Sequence, residues 1–210
     1  MDIIQLDDAF PVARGCRIEL LTFDAVSASV PAGSAQTRAY GVPRWSLSLV
    51  SPSVMNDARA GRWKALQLKL RGSLNRVAAY DPGRPVPLGT LRGNLTLAAP
   101  IAIGDVTAQI TGGAGQAGRT VVIGDMFGFG AGFGTSQLVC AVEDGVADGA
   151  GAMTLRFEAP ARRAFPTGTV VTWQRPRAYF LQPQPRAGWG AYSRTRTEQM
   201  SIDLVEDTAA

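Results

Sequence analysis

Histidine is absent from this chain of 210 residues, which removes the commonest general base and the commonest metal ligand together. Cysteine occurs only at Cys16 and Cys140, too few and too far apart for a disulfide framework or a zinc site, so both are expected to be buried, reduced packing residues. Lysine is nearly missing as well: of the 21 basic residues only Lys64 and Lys69 are lysines, and the rest are arginine. No apolar run approaches the roughly 20 residues of a membrane span, so no membrane anchor is expected. The opening MDIIQLDDAF has neither the basic start nor the apolar core of a secretory signal, which predicts a protein that stays in the cytoplasm of the cell making it. Without histidine, a catalytic cysteine or a persuasive carboxylate pair, the chain offers no catalytic residue, and no metal or cofactor is expected.

What is present points to a folded, turn-rich β protein. Hydrophobic residues make up 46% and charged residues only 18%, and 24 glycines imply many turns. The length fits one large domain or two small ones, and two are favoured. The net charge of +4 is carried by arginine. Its planar fork suits protein interfaces as well as phosphates, and the bias also matches the codon usage of a GC-rich genome.

Along the chain, residues 16–23 (CRIELLTF) read as a strand. So do residues 44–51, where Trp45, Leu47 and Leu49 alternate with Arg44, Ser46 and Ser48 as on a half-buried strand. Residues 53–70 read as the one helix: Ser53 is the expected cap, and Trp63, Leu66 and Leu70 recur at helical spacing. Gly61 weakens its middle. A short strand follows Gly72, and then a Pro/Gly-rich connection leads outward, with a boundary expected near residue 100. IAIGDVTAQIT, RTVVIGDM, QLVCAVED, AMTLRFEA and TVVTW are strand candidates that suggest a small barrel or sandwich. IAIGDV and VVIGDM resemble each other, although two copies do not make a repeat protein. At the end Met200, Ile202 and Leu204 again alternate with polar residues, and that strand is expected to return to the sheet of the N-terminal region. The expected fold is mainly β: a β-sandwich with one helix from residues 1–99 and 176–210, plus an inserted or appended small β-barrel or sandwich domain at 100–175.

Several motifs invite functional readings. Residues 113–118 (GAGQAG) have the spacing of a dinucleotide fingerprint, but the next residues read as a strand and not as the helix whose N-terminus would face a pyrophosphate, so a flexible hairpin loop is the expectation. In residues 127–134 (FGFGAGFG), Phe127, Phe129 and Phe133 alternate with glycine and are expected to contact a neighbouring protein. Glu143, Asp144 and Asp148 lack the alternation of a calcium loop and are expected to be solvated turn carboxylates. Trp189 and Tyr192, in GWGAY, are candidates either for an exposed aromatic contact or for a plug over one end of the sheet. Arginines cluster from Arg156 to Arg196 and include the pair Arg162 and Arg163. No nucleic-acid motif accompanies them, so a protein contact is expected there and no specific nucleic-acid binding.

Residues 120–173 combine a Gly-Asp turn at Gly124 and Asp125, a Val-rich strand at 138–142, an Asp-x-x-Gly turn at 148–151, an alternating strand at 153–157 and a Pro-Arg corner at 160–163. That succession resembles the small β-domain in tail-tip proteins of long-tailed bacteriophages. With the strands at 16–23 and 44–51, the helix near 53–70, the RGSLN turn at 71–75 and the strand at 200–205, nearly the whole chain resembles the distal tail protein family of long-tailed phages and prophages. The resemblance implies a structural, non-enzymatic virion protein of the tail tip or baseplate, assembled in the host cytoplasm. It would be a homo-oligomer forming a six-membered ring, with the tail tube protein, the tail hub and other tail-tip proteins as partners. The alternative is a minor tail protein whose second domain is a carbohydrate-binding module for the host surface, with Trp189 or the Phe127–Phe133 loop as the stacking face.

Overall fold

A computed structural model describes residues 1–7, 10–13, 15–29, 34–53, 56–184, 192–193, 196–197 and 199–208. In chain order the elements are β1 (Ile3–Gln5), β2 (Arg17–Leu21), β3 (Asp24–Ser29), β4 (Ser34–Ala39), β5 (Arg44–Val50), helix α1 (Asp57–Leu70) and β6 (Arg76–Ala79). Next come β7 (Leu95–Leu97), β8 (Thr107–Thr111), β9 (Thr120–Val121), β10 (Met126–Phe129), β11 (Gln137–Ala141), β12 (Gly145–Val146), β13 (Ala152–Glu158) and β14 (Val170–Thr172). The chain closes with β15 (Ala178–Leu181), β16 (Tyr192–Ser193), β17 (Arg196–Thr197) and β18 (Ser201–Glu206). The fold is mainly β, with one helix, a six-stranded sheet in the order β1-β6-β15-β18-β5-β2, a closed six-stranded barrel β10-β11-β13-β8-β7-β14, and three two-stranded ribbons.

The sheet buries one face because its strands alternate. Trp45, Leu47 and Leu49 of β5 and Ile202 and Leu204 of β18 lie in one core with Val77, Ala79 and Phe180. The register Leu49↔Ile202 and Leu47↔Leu204 puts them on the same face. Helix α1 covers part of that face with Trp63, Leu66 and Leu70, all buried. Trp63 alone is worth about 1.5–3 kcal/mol by burial, and its indole nitrogen donates to the Pro11 carbonyl at 2.7 Å. The helix begins later than its periodicity suggests. Its cap is Asn56, whose side chain accepts from the Arg59 amide at 3.0 Å, and not Ser53. It ends at Arg71, whose left-handed backbone (φ 47) starts the RGSLN turn. Asn75 then fixes that turn by donating to the Lys69 carbonyl at 2.7 Å and accepting from the Asp2 amide at 2.8 Å.

The barrel is inserted between two neighbouring strands of the sheet. β6 and β15 pair as Val77↔Phe180 and Ala79↔Ala178, so the chain leaves the sheet at Ala79 and re-enters one strand over at Ala178. The barrel strands start at β7 and not at residue 100, because Leu95–Leu97 pair with β8 and β14. The Pro/Gly-rich stretch before β7 is therefore the connection itself. In β13, Met153, Leu155 and Phe157 point inward and Thr154, Arg156 and Glu158 outward, the pattern of a wall with one wet side. β10 and β11 break that pattern because both of their sides are covered. Phe127, Phe129, Val139 and Ala141 fill the barrel, while Met126, Leu138 and Cys140 pack into the core of the helix-backed sheet.

The two similar Ile-Gly-Asp segments adopt one turn. Ala102 N donates to Asp105 Oδ2 at 2.7 Å and Val122 N donates to Asp125 Oδ2 at 2.9 Å. In each, the Asp amide donates back across the turn and the glycine takes positive φ, +91 at Gly104 and +84 at Gly124. Asp125 differs in being fully buried. It also accepts from Leu88 N at 2.7 Å and Gly89 N at 3.0 Å, which fastens the connection to the barrel. Gly89 has to be glycine, since a Cβ there would lie 2.3 Å from the Thr120 carbonyl oxygen.

Candidate functional site

Where the barrel meets the sheet, the apolar wall gives way to a polar latch. β11 supplies Gln137, whose carboxamide grips the corner after β13: Nε2 donates to the Pro160 carbonyl at 2.9 Å and Oε1 accepts from the Arg162 amide at 2.8 Å. The corner so held aims Arg162 at Glu206, the last residue of β18. The contact is bidentate, with Nη1 to Oε2 at 2.7 Å and Nη2 to Oε1 at 2.5 Å, and the two side chains are only 11% and 3% exposed. Glu206 Oε2 also accepts from the Trp45 amide at 3.0 Å, and the Trp45 indole donates to the Leu138 carbonyl at 2.8 Å. Sheet residues and barrel residues thus satisfy one another's buried polar groups. A bidentate, fully bonded pair of this kind offsets its own desolvation and fixes geometry more than it adds stability.

Beside the latch lies a cleft of about 260 Å³, lined by Arg163, Ser136, Tyr179, Asp207 and Thr208 along with the latch residues. Asp207 is paired with Arg76. Phe133 stands edge-on to Tyr179 with ring centroids 5.5 Å apart. Arg163 is half-buried and has no ion-pair partner among the described residues. The chemistry available here is recognition of a carboxylate or a carbonyl.

The residues singled out by pattern divide by location. Phe127 and Phe129 are barrel core, 1% and 0% exposed, with Phe129 packed edge-on against Phe157 and Phe165. The alternation with glycine is that of an interior strand, so they are not contact residues for a neighbour or a sugar. Phe133 is half-buried at the junction. Arg162 is an internal tie, whereas Arg163 beside it faces the cleft. Trp189 lies outside the described residues, and Tyr192 is placed only as a member of the β16–β17 hairpin. The GAGQAG segment holds a three-residue 3-10 turn, Ala114–Gln116, and no helix starts there. Gln116 instead accepts from the Arg92 amide at 2.8 Å. Asp148 accepts from Ala150 N and Ala152 N at 2.8 and 2.9 Å, and Asp144 from Ile123 N at 2.7 Å, so both carboxylates are engaged in forming turns.

Sequence pattern missed Glu206 and Gln137, and read Asp125 only as a turn residue, without its burial or its hold on the connection. The signal for Glu206 was available: it follows Met200, Ile202 and Leu204 in the inward phase, and a charge in that phase needs a buried partner. Both cysteines are free and half-buried. Burial pushes the Cys16 and Cys140 thiols above their ordinary range, although Arg84 acts against it at Cys140. Such thiols are protonated and poor nucleophiles at neutral pH.

No protein-family model matches this chain, and no curated protein does either.

Proposed function

We propose that this protein is a structural subunit of a phage-type tail tip: a ring-forming protein, six to a ring, that joins the tail tube to the hub or baseplate. The observation that carries the reading is the insertion of a closed barrel between adjacent strands of a helix-backed sheet, tied at its base by Arg162 and Glu206. A ring subunit needs a body with two different side surfaces and an outward part held at a fixed angle. The sheet has two unlike edges, β1 and β2, and the barrel is clamped to its wall. The succession of turns, from Gly124-Asp125 through the Asp148 turn to the Pro160–Arg163 corner, has a specific task at each step: anchoring the connection, turning the chain from β12 into β13 and aiming the latch.

The role is assembly and not catalysis. With Phe127 and Phe129 inside the barrel, the carbohydrate-binding alternative loses two of its three stacking rings in that loop. The test is genetic. In a phage or prophage that encodes this chain, deleting its gene should give tails that lack a finished tip and do not infect. Complete, infectious tails from the deletion would refute the reading.

A further inference from the structure

The outer wall of the barrel carries a groove where β7 and β14 run side by side. It encloses about 500 Å³, and every residue along it is described. The ladder sets Thr96 opposite Val170 and Leu95 opposite Val171. Leu95 and Val171 belong to the barrel core, so Thr96 and Val170 share the outer face, and Thr172, two residues on from Val170, joins them there. Val170 is 55% exposed. Asn94 and Gln174, both exposed, carry the lining past the strand ends, and half-buried Trp173 closes the groove at that end.

The chemistry of this lining is narrow. It contains no charged side chain. The hydroxyls of Thr96 and Thr172 and the carboxamides of Asn94 and Gln174 make no hydrogen bond among the described residues. Trp173, by contrast, is fixed: its indole nitrogen donates to the Gly93 carbonyl at 2.9 Å, and the Arg92 guanidinium lies 4.8 Å from its ring centroid. Arg92 is itself held by the Leu91 and Pro87 carbonyls at 2.7 and 3.0 Å and does not line the groove, so its charge stays on the far side of the ring. The indole is in place before any ligand arrives. An anion would find no cation here, and a cation no carboxylate. A purely apolar partner would strip water from four hydrogen-bonding side chains and return nothing to them. The complement is uncharged, with apolar C–H faces and hydroxyls around its rim, which describes a neutral saccharide.

We propose that the β7–β14 groove binds a short neutral saccharide, with its C–H face on the Val170 methyls and the accessible part of the Trp173 indole and its hydroxyls on Thr96, Thr172, Asn94 and Gln174. The site is separate from the 127–134 loop, whose Phe127 and Phe129 are core. It goes beyond the ring reading and does not depend on it.

The test uses the full chain with isotope-labelled Val and Thr methyl groups and Trp indole nitrogens, which NMR can follow even in a large assembly. Cellobiose, maltose and N,N′-diacetylchitobiose are titrated in turn, with glucuronate and tert-butanol as charged and apolar controls. Saturable shifts confined to Thr96, Val170, Thr172 and Trp173 are expected with at least one disaccharide and with neither control. Silence with all three disaccharides, shifts scattered over the molecule, or an equal response to either control would overturn the proposal. The double variant Asn94→Ala with Thr172→Val should bind roughly tenfold more weakly while the remaining barrel methyl signals stay in place. Gln174→Ala, at an exposed position outside the strands, should weaken binding about threefold and keeps the test open if the double variant does not fold. Unchanged affinity in a folded variant would overturn the proposal. Rings that ignore every saccharide sink this site and leave the ring reading intact, and saccharide binding by a chain that never assembles does the reverse.

Discussion

The barrel and the helix-backed sheet solve the same problem in opposite ways. In the barrel each of the six strands has two neighbours, its core is filled by Phe127, Phe129, Phe157 and Phe165, and closure leaves no free edge. Among the described residues the sheet stops at β1 on one side and β2 on the other, so each outer strand has one ladder unused there. Its buried face is covered jointly, by α1 and by the outer side of β10 and β11. The closed unit is complete in itself. The open unit leaves pairing capacity unspent, and in the ring proposed above it is the sheet that is assigned the contacts with other subunits.

The sharpest way to break this contrast is to empty each core in turn. Phe129→Ala in the barrel and Trp63→Ala under the sheet should each cost about 3–5 kcal/mol. Hydrogen exchange should then rise mainly in the barrel strands for the first and in the sheet for the second. Uniform exchange in both variants would show that the two regions open as one unit. The latch comes next. Arg162→Ala strands Glu206 in the junction and should lose about 3–5 kcal/mol, whereas the paired change Arg162→Met with Glu206→Leu should lose much less, both read by chemical denaturation. Equal losses would mean that charge at the junction matters beyond geometry. Asp125→Ala leaves the Leu88, Gly89 and Val122 amides without their acceptor and should cost about 2 kcal/mol, with proteolysis becoming faster in the connection before β7. The smallest effect is a gain. A Cβ at Gly61 meets nothing within 4 Å, so Gly61→Ala should stabilise the sheet unit by about 1 kcal/mol and leave the barrel untouched.

How much could be read beforehand follows the same division. Strands with one wet face announced themselves: β5, β13 and β18 alternate, and each buries the expected residues. The helix was legible from Trp63, Leu66 and Leu70, but its start was not, because Ser53 and Asn56 are both good caps and only the backbone decides between them. The shared wall was misread for a physical reason. β10 is buried on both sides, so its phenylalanines and glycine carry no polar alternation and resemble a loop. The candidate site was legible only in part. Arg162 and Arg163 stood out as a pair, but the difference between an internal tie and a cleft-facing group depends on Glu206, 44 residues away in sequence. The burial of Gln67 left no trace at all, since a glutamine at a helical position reads as solvated surface until the packing around it is seen.

The most direct test of the central claim is the assembled state of the purified protein, by native mass measurement and negative-stain electron microscopy on the same samples over a range of concentration. Closed six-membered rings with a central channel, in equilibrium with monomers, are the predicted result. Monomers at every concentration, or open filaments in place of closed rings, would contradict it.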